Sequence, residues 1–175
     1  LGMIHFVDTT EEFDLAVNGA FMEYVRQLKK EGTIRHIGMS THNPDIAKLA
    51  ACQGEIEMIL FSVNPAFDML PPVSDIDQYF SGQYDEALNG IAPEREELYK
   101  LCEQNGVGIT VMKGYAGGRL FQADTSPFGV ALTPVQCLHY ALTRPAVAAV
   151  MVGYDSVRHV EEAVAYETAT EEEKD

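Results

Sequence analysis

Basic residues are scarce in this sequence: 12 Lys and Arg stand against 27 Asp and Glu, a formal net charge of -15 over 175 residues. That sign excludes a general electrostatic surface for nucleic acid or an anionic membrane. Cysteine occurs three times, at Cys52, Cys102 and Cys137. An odd, widely spaced set among apolar neighbours argues against a disulfide framework or a paired-cysteine metal site and reads as buried thiols. No apolar run approaches the roughly 20 residues of a membrane span, and no basic-then-apolar leader precedes the first apolar stretch. A cytoplasmic protein without membrane or nucleic-acid partners is the expectation. No fixed-period repeat occurs. No GxGxxG or GK[ST] phosphate-binding signature occurs either.

What is present is a 46 % hydrophobic chain, enough for one ordinary domain with a real core. Five short runs rich in branched residues recur: Met3 to Val7, Ile34 to Met39, Glu57 to Phe61, Gly108 to Met112 and Ala148 to Val152. Helical patterns follow each run. The first lies within Ala16 to Lys30, where Phe21, Tyr24, Val25 and Leu28 recur at helical spacing before Gly32. Asn43 with Pro44, and Thr133 with Pro134, are N-cap pairs. "PEREELYKLCEQNG" has acidic residues in its first turn and Gly106 past its end. "SVRHVEEAVAYE" starts at Ser156 and is expected to bury Val157, Val160 and Val164, while "TEEEKD" begins one more helix.

This alternation predicts parallel strands with crossover helices, in either an open doubly wound sheet or a (β/α) barrel. Two insertions, Ser62 to Ala92 and Lys113 to Leu132, follow strand C-terminal ends, where such folds place ligands. The first should pack over one end of the sheet.

Three stretches offer chemistry. In "VMKGYAGGRL", Gly114, Gly117 and Gly118 let backbone approach a phosphate, or simply make a flexible connection. In "VMVGYDSVRHVEEAV", a strand ends at Gly153 and a helix begins at Ser156. That is either an anion site at a helix N-terminus, with Arg158 and His159 nearby, or an ordinary capped helix. "RHIGMSTHN" clusters Ser40, Thr41, His42 and Asn43 at a strand end, where they can hydrogen-bond an amide-bearing ligand. A metal site through His36 and His42 is disfavoured, because the two lie on opposite sides of that end. His5 is the odd residue in the first apolar run; a satisfied core histidine is the plain reading, and Asp8 lies past the strand end.

Taken together, these segments resemble the aldo-keto reductases. "MIHFVD" resembles that family's fourth-strand "LIH", and "LKKEGTIRHIGMSTHN" resembles its "L...GKIR.IGVSN". "CEQNGVGITVMKGYAGGRL" resembles its seventh-strand loop, and "LTPVQCLHYALTRPAVAAVMVGYDS" its closing "ALRW...IPG". The resemblance implies a parallel (β/α) barrel of TIM type that is incomplete here. Residues 1–175 would form a single partial domain, about strands four to eight, truncated at both ends. "ILFSVNPAFDML" and "CLHYALTRPAVAAVMVGYDS" are most similar to a branch whose longer members carry a C-terminal 4Fe-4S ferredoxin-like domain. No ligands for such a cluster lie in this chain, which leaves an electron-transfer partner to the intact parent.

The resemblance further implies a nicotinamide-dependent oxidoreductase, with NADP or NAD as cofactor and a small carbonyl or alcohol as substrate. His5 falls on the pocket histidine. Ser40 and Thr41 match the pair that holds the carboxamide, and the loop Lys113, Gly114, Tyr115, Gly117, Gly118 and Leu120 matches the one over the pyrophosphate. Gly153, Tyr154, Ser156, His159 and Glu162 match adenosine-side positions. Departures are Val63 where a stacking Tyr is common, His159 where an Arg often meets the 2'-phosphate, and Ala163 where an Asn meets adenine. The family's Tyr, Lys and Asp lie on strands absent here. The chain alone is therefore expected to be inactive and to need the missing barrel half for closure. A non-catalytic, nucleotide-binding regulatory subunit on the same fold is the alternative, and a metal-dependent hydrolase using His5, Asp8 and His42 ranks last.

Overall fold

The computed structural model describes residues 1–72 and 89–175. Among these residues five strands form one sheet in the order β1-β2-β3-β4-β5. They are β1 (Gly2–Ile4), β2 (Ile37–Thr41), β3 (Met58–Ser62), β4 (Gly108–Met112) and β5 (Val147–Val150). Each pairs in parallel with its sequence neighbour, in registers such as Met3 with Gly38, Ile59 with Ile109 and Val111 with Val150. Parallel pairing puts every strand's C-terminal end on one edge. Among the described residues β1 and β5 each have one paired side.

The helices are α1 (Thr10–Val17), α2 (Ala20–Lys30), α3 (Pro44–Cys52), α4 (Pro93–Asn105), α5 (Pro134–Leu142), α6 (Val157–Val164) and a short α7 (Glu171–Lys174). Their starts follow side-chain capping. Asn43 accepts from Asp45 N–H and leads into Pro44, while Thr133 and Gln136 form a reciprocal capping box. Gly106 ends α4 at φ 67°, a conformation with little cost only without a Cβ. α3 packs against α4. The main core joins the strand residues Ile37, Met39, Ile59, Phe61, Ile109 and Val111 to Ala47, Ala50, Leu98 and Cys102. Gly38 suits the close approach of β2 and β3, since a Cβ there would stand 3.2 Å from the Met58 carbonyl oxygen, tighter than ordinary contact.

Several expectations are corrected. The helix expected within Ala16 to Lys30 is α2, but it is not the first: α1 precedes it, capped by Thr9 and set apart from α2 by Gly19 at φ 143°. α2 buries Met22 and Val25 and leaves Phe21 and Tyr24 exposed. Val157, Val160 and Val164 are exposed rather than buried; α6 seats only Ala163 against the domain. Cys52 is exposed, and only Cys102 and Cys137 are buried thiols.

The first strand stops at Ile4, so His5 is exposed and is not a core histidine. Phe6 turns into the left-handed region at φ 62°, and its N–H donates to Ser40 Oγ at 2.7 Å. The insertion expected to cover the sheet, Ser62 to Ala92, lies in large part outside the described residues. Its first turn, Phe67–Met69, is a 3-10 helix. Among the described residues no helix is long and apolar enough to cross a membrane.

Candidate cofactor cleft

Every singled-out segment comes to the edge where the strands end. After β4, the backbone enters the left-handed region at Lys113 (φ 58°), Ala116 (47°), Gly117 (67°) and Gly118 (83°). Lys113 and Ala116 hold a conformation that disfavours a side chain, and such strain persists only where surroundings fix it. Asn64 supplies one fixture, donating from Nδ2 to the Lys113 carbonyl at 2.9 Å while its Oδ1 accepts from Ala66 and Phe67 N–H. Two loop amides are spent on the loop's own turns, Ala116 N–H to Lys113 O (2.9 Å) and Gly118 N–H to Tyr115 O (2.8 Å). The loop is built, not merely flexible.

Between this loop and the start of α6 lies a cavity of about 550 Å³. Lys113, Gly114, Tyr115, Gly117 and Gly118 line one side, and Gly153, Tyr154, His159 and Glu162 the other. Nine of the residues singled out from sequence therefore meet at one space. Phe121, Pro134, Met151, Val152 and Asp155 complete the wall and were not singled out. The pattern held a signal for them, since all flank the matched loops or open the helix behind them.

At Gly153 an added Cβ would meet no atom within 4 Å, so the wall is open there. At Gly114 it would stand 3.2 Å from Val150 Cγ1, so this glycine lets the loop close onto β5. Burial, reinforced by the neighbouring Tyr154, pushes the Tyr115 hydroxyl above the ordinary tyrosine range. Burial lowers the Lys113 amine against the opposing pull of Asp8.

Five other predicted positions lie elsewhere. Leu120 is fully buried in a second core cluster with Ala66, Phe67, Ala116 and Cys137. Ser156 caps α6, its hydroxyl accepting from His159 N–H at 3.2 Å. Thr41 is fully buried, and its hydroxyl donates to Asp8 at 2.9 Å. Ser40 accepts from Phe6 N–H, as described above. His5 stands past the end of β1, its ring 6.0 Å from that of Phe6.

Asp8, Thr41 and His42, singled out from sequence in other roles, form one polar centre beside these residues. Asp8 accepts from the Thr41 hydroxyl and the His42 N–H (2.7 Å) and lies 2.9 Å from His42 Nδ1. Burial would raise this carboxyl, but the bonds from His42 and Thr41 outweigh it and hold it below the usual range. Among the described residues no group of three or more His, Cys, Asp or Glu side chains is placed to hold a metal ion. His36 is not near His42; it pairs with Glu57 at 2.9 Å.

No curated protein matches the sequence. Among solved structures, the holo form of an aldo-keto reductase from Bacillus halodurans superposes with a TM-score of 0.66 at 21% identity, over 98% of this chain and 55% of that one. A Pseudomonas aeruginosa protein assigned to the aldo-keto reductases gives 0.60 at 17% identity, over 95% and 49%. A thermostable aldo-keto reductase in complex with the inhibitor epalrestat gives 0.57 at 19%, over 98% and 56%. The chain thus spans about half the length of these structures, and its five parallel strands with their helices match part of a TIM-type barrel. The family model for the aldo/keto reductase family matches residues 1–133, from β1 through the glycine loop. With a match over that much of its length, the chain belongs to the aldo/keto reductase family.

Proposed function

We propose that the whole protein transfers hydride between NAD(P)H and a carbonyl or alcohol substrate, and that this chain is one partial barrel domain supplying most of the cofactor cleft. The observation that carries the reading is the cavity between the left-handed loop after β4 and the opening of α6, at the C-terminal edge of the sheet. Its residues fit an extended dinucleotide. Tyr115, Phe121 and Tyr154 offer flat apolar surface to a base, and Lys113 offers a cation to a diphosphate. Open space at Gly153 lets a ligand approach the backbone.

When bound, the nicotinamide supplies the hydride chemistry. The residues present orient, exclude water and stabilise charge. His5, exposed beside Phe6, is suited to donate a hydrogen bond to the substrate oxygen as negative charge develops there. Asp8 fixes His42 and Thr41, and through the Phe6 turn onto Ser40 the same centre holds the His5 segment in place.

Incompleteness of the barrel is part of the proposal. Among the described residues the sheet has unpaired edges at β1 and β5, which a closed barrel would abolish. Beside them Leu15, Phe21 and Tyr24 on α1 and α2, and Met151, Val157 and Val164 around α6, are exposed apolar surface. A complementary barrel half carrying the proton donor would cover both. Any 4Fe-4S domain, and any electron-transfer partner, would likewise belong to the parent.

Carbonyl-dependent oxidation of NAD(P)H by the whole polypeptide tests the reading. Turnover should fall about a hundredfold with His5→Gln, the scale of losing one oxyanion donor, and the 175-residue chain should show little or none. Cofactor binding without turnover on any aldehyde or ketone would instead favour a nucleotide-binding regulatory subunit.

A further inference from the structure

A second cavity, of about 420 Å³, shares no lining residue with the cofactor cleft among the described residues. α5 contributes to both: Pro134 lines the cleft, whereas Gln136, His139 and Tyr140 line the second space. Its volume lies within the range of small-molecule sites.

Arg144, just past α5, is part of this wall. Its guanidinium stacks 4.6 Å from the Tyr140 ring centroid, Nε donates to the Tyr140 carbonyl at 3.1 Å, and Nη2 donates to the Thr143 hydroxyl at 3.2 Å. Both acceptors are neutral. Among the described residues no carboxylate lies at ion-pair distance from it, and Nη1 makes no hydrogen bond. Asp68 feels the charge, but its oxygens already accept from Tyr99, Tyr140 and Arg95. The end-on fork of Arg144 is therefore open, the geometry that a carboxylate spans with two parallel bonds.

His139 lines the same space, and its buried Nδ1 has no hydrogen-bond partner among the described residues. Such a nitrogen is costly to leave unmet. No hydrogen bond fixes the ring, which rests 6.2 Å from that of Tyr166, so it is free to turn toward an acceptor. Lys174 also lines the cavity, but Glu171 takes up its charge at 3.2 Å; Asp175 opposes an anion only from an exposed position, where water screens it. Pro65, Phe128 and Leu132 supply an apolar wall.

We propose that this cavity binds a small organic carboxylate, its oxygens on the Arg144 fork with a further bond from His139, and its apolar body against Pro65, Phe128 and Leu132. A phosphate would bring more charge than one open guanidinium balances and would leave the apolar wall unused. The proposal does not depend on the cofactor reading.

The test is calorimetric titration of the whole polypeptide with benzoate, without added nicotinamide cofactor, beside benzyl alcohol and inorganic phosphate at equal ionic strength. Benzoate should saturate at about millimolar concentration or below. Arg144→Met should weaken it roughly tenfold or more, the scale of one charge-assisted hydrogen bond. Arg144→Lys, which keeps the charge and loses the fork, should weaken it as well, and decides the matter if the Met variant has a lowered unfolding midpoint. His5→Gln should leave it unchanged. Absence of saturation, affinity indifferent to Arg144→Lys, or equal binding of benzyl alcohol or phosphate would overturn the proposal. Loss of benzoate binding with His5→Gln would place the carboxylate in the substrate pocket and overturn it too.

Discussion

Asp8 Oδ2 lies 2.9 Å from His42 Nδ1, with both side chains at least nine-tenths buried, and the pair ties the segment after β1 to the end of β2. The carboxylate also accepts from the His42 N–H and the Thr41 hydroxyl, while Asn43 Nδ2 donates to the Asp8 carbonyl at 3.2 Å. Two strand ends and the His5 segment are therefore fixed by one ionised group.

Its protonation should be visible in stability. The folded pKa of Asp8 lies below its ordinary value of 3.8, so its contribution is complete above that value and is lost as pH falls through the folded pKa. Asp8→Asn should cost about 1–3 kcal/mol at neutral pH, the scale of disrupting a buried hydrogen-bonded charge. It should also flatten the loss of stability below about pH 4, as read by urea unfolding across pH. Some acid dependence should survive in the variant, because Glu57 is held down at about 2, chiefly by Lys29 and then by His36.

A second buried centre holds the turn after β3. Asp68 accepts from Tyr99 (2.7 Å), Tyr140 (2.8 Å) and Arg95 (3.1 Å), and Arg95 also donates to the Ser62 carbonyl at 2.9 Å. Burial nevertheless raises the Asp68 carboxyl, against the pull of Arg95 and the two tyrosines. Arg95→Met should therefore cost about 3–5 kcal/mol, because it strands a buried carboxylate. Adding Asp68→Leu should recover part of that loss, since the desolvated charge goes too. Equal stability of the single and double variants in chemical denaturation would remove this account.

Thiol labelling checks the packing directly. Cys52 is exposed, whereas Cys102 and Cys137 are buried and pushed up to about 12 by that burial. The native chain should release one equivalent of a thiol reagent quickly and the other two only on unfolding. Three fast equivalents would mean that the helices carrying the buried pair do not pack as described.

Strand order and helix starts were legible in the sequence because they depend on local signals: branched apolar runs, and caps at Asn43, Thr133 and Ser156. The glycine loop and the Gly153 turn were legible for the same reason, and the cavity brings them together. What was not legible depends on the tertiary environment. Phe21 and Val157 sit at helical spacing yet face outward, because periodicity marks a face without saying what covers it. Asp8, Asp68 and Arg95 are charged residues at or near element ends, where a sequence reads solvent. Their burial follows from partners 27 to 72 residues away. His5 misled in the opposite direction, since the strand ends at Ile4, three residues before Val7, and the chain turns into the left-handed region at Phe6.

The central claim is that the space between the loop after β4 and α6 is a cofactor cleft, and Gly153 tests it with least disturbance to the fold. A side chain there has open room, so Gly153→Glu should fill the cavity while leaving the core alone. The deciding measurement is calorimetric titration of NADH into the native and Gly153→Glu chains. Saturable binding that the substitution weakens at least tenfold or so, by steric and like-charge exclusion, with an unchanged unfolding midpoint, is the predicted result. Binding that ignores the substitution, or no binding by a cooperatively folded native chain, would contradict the claim.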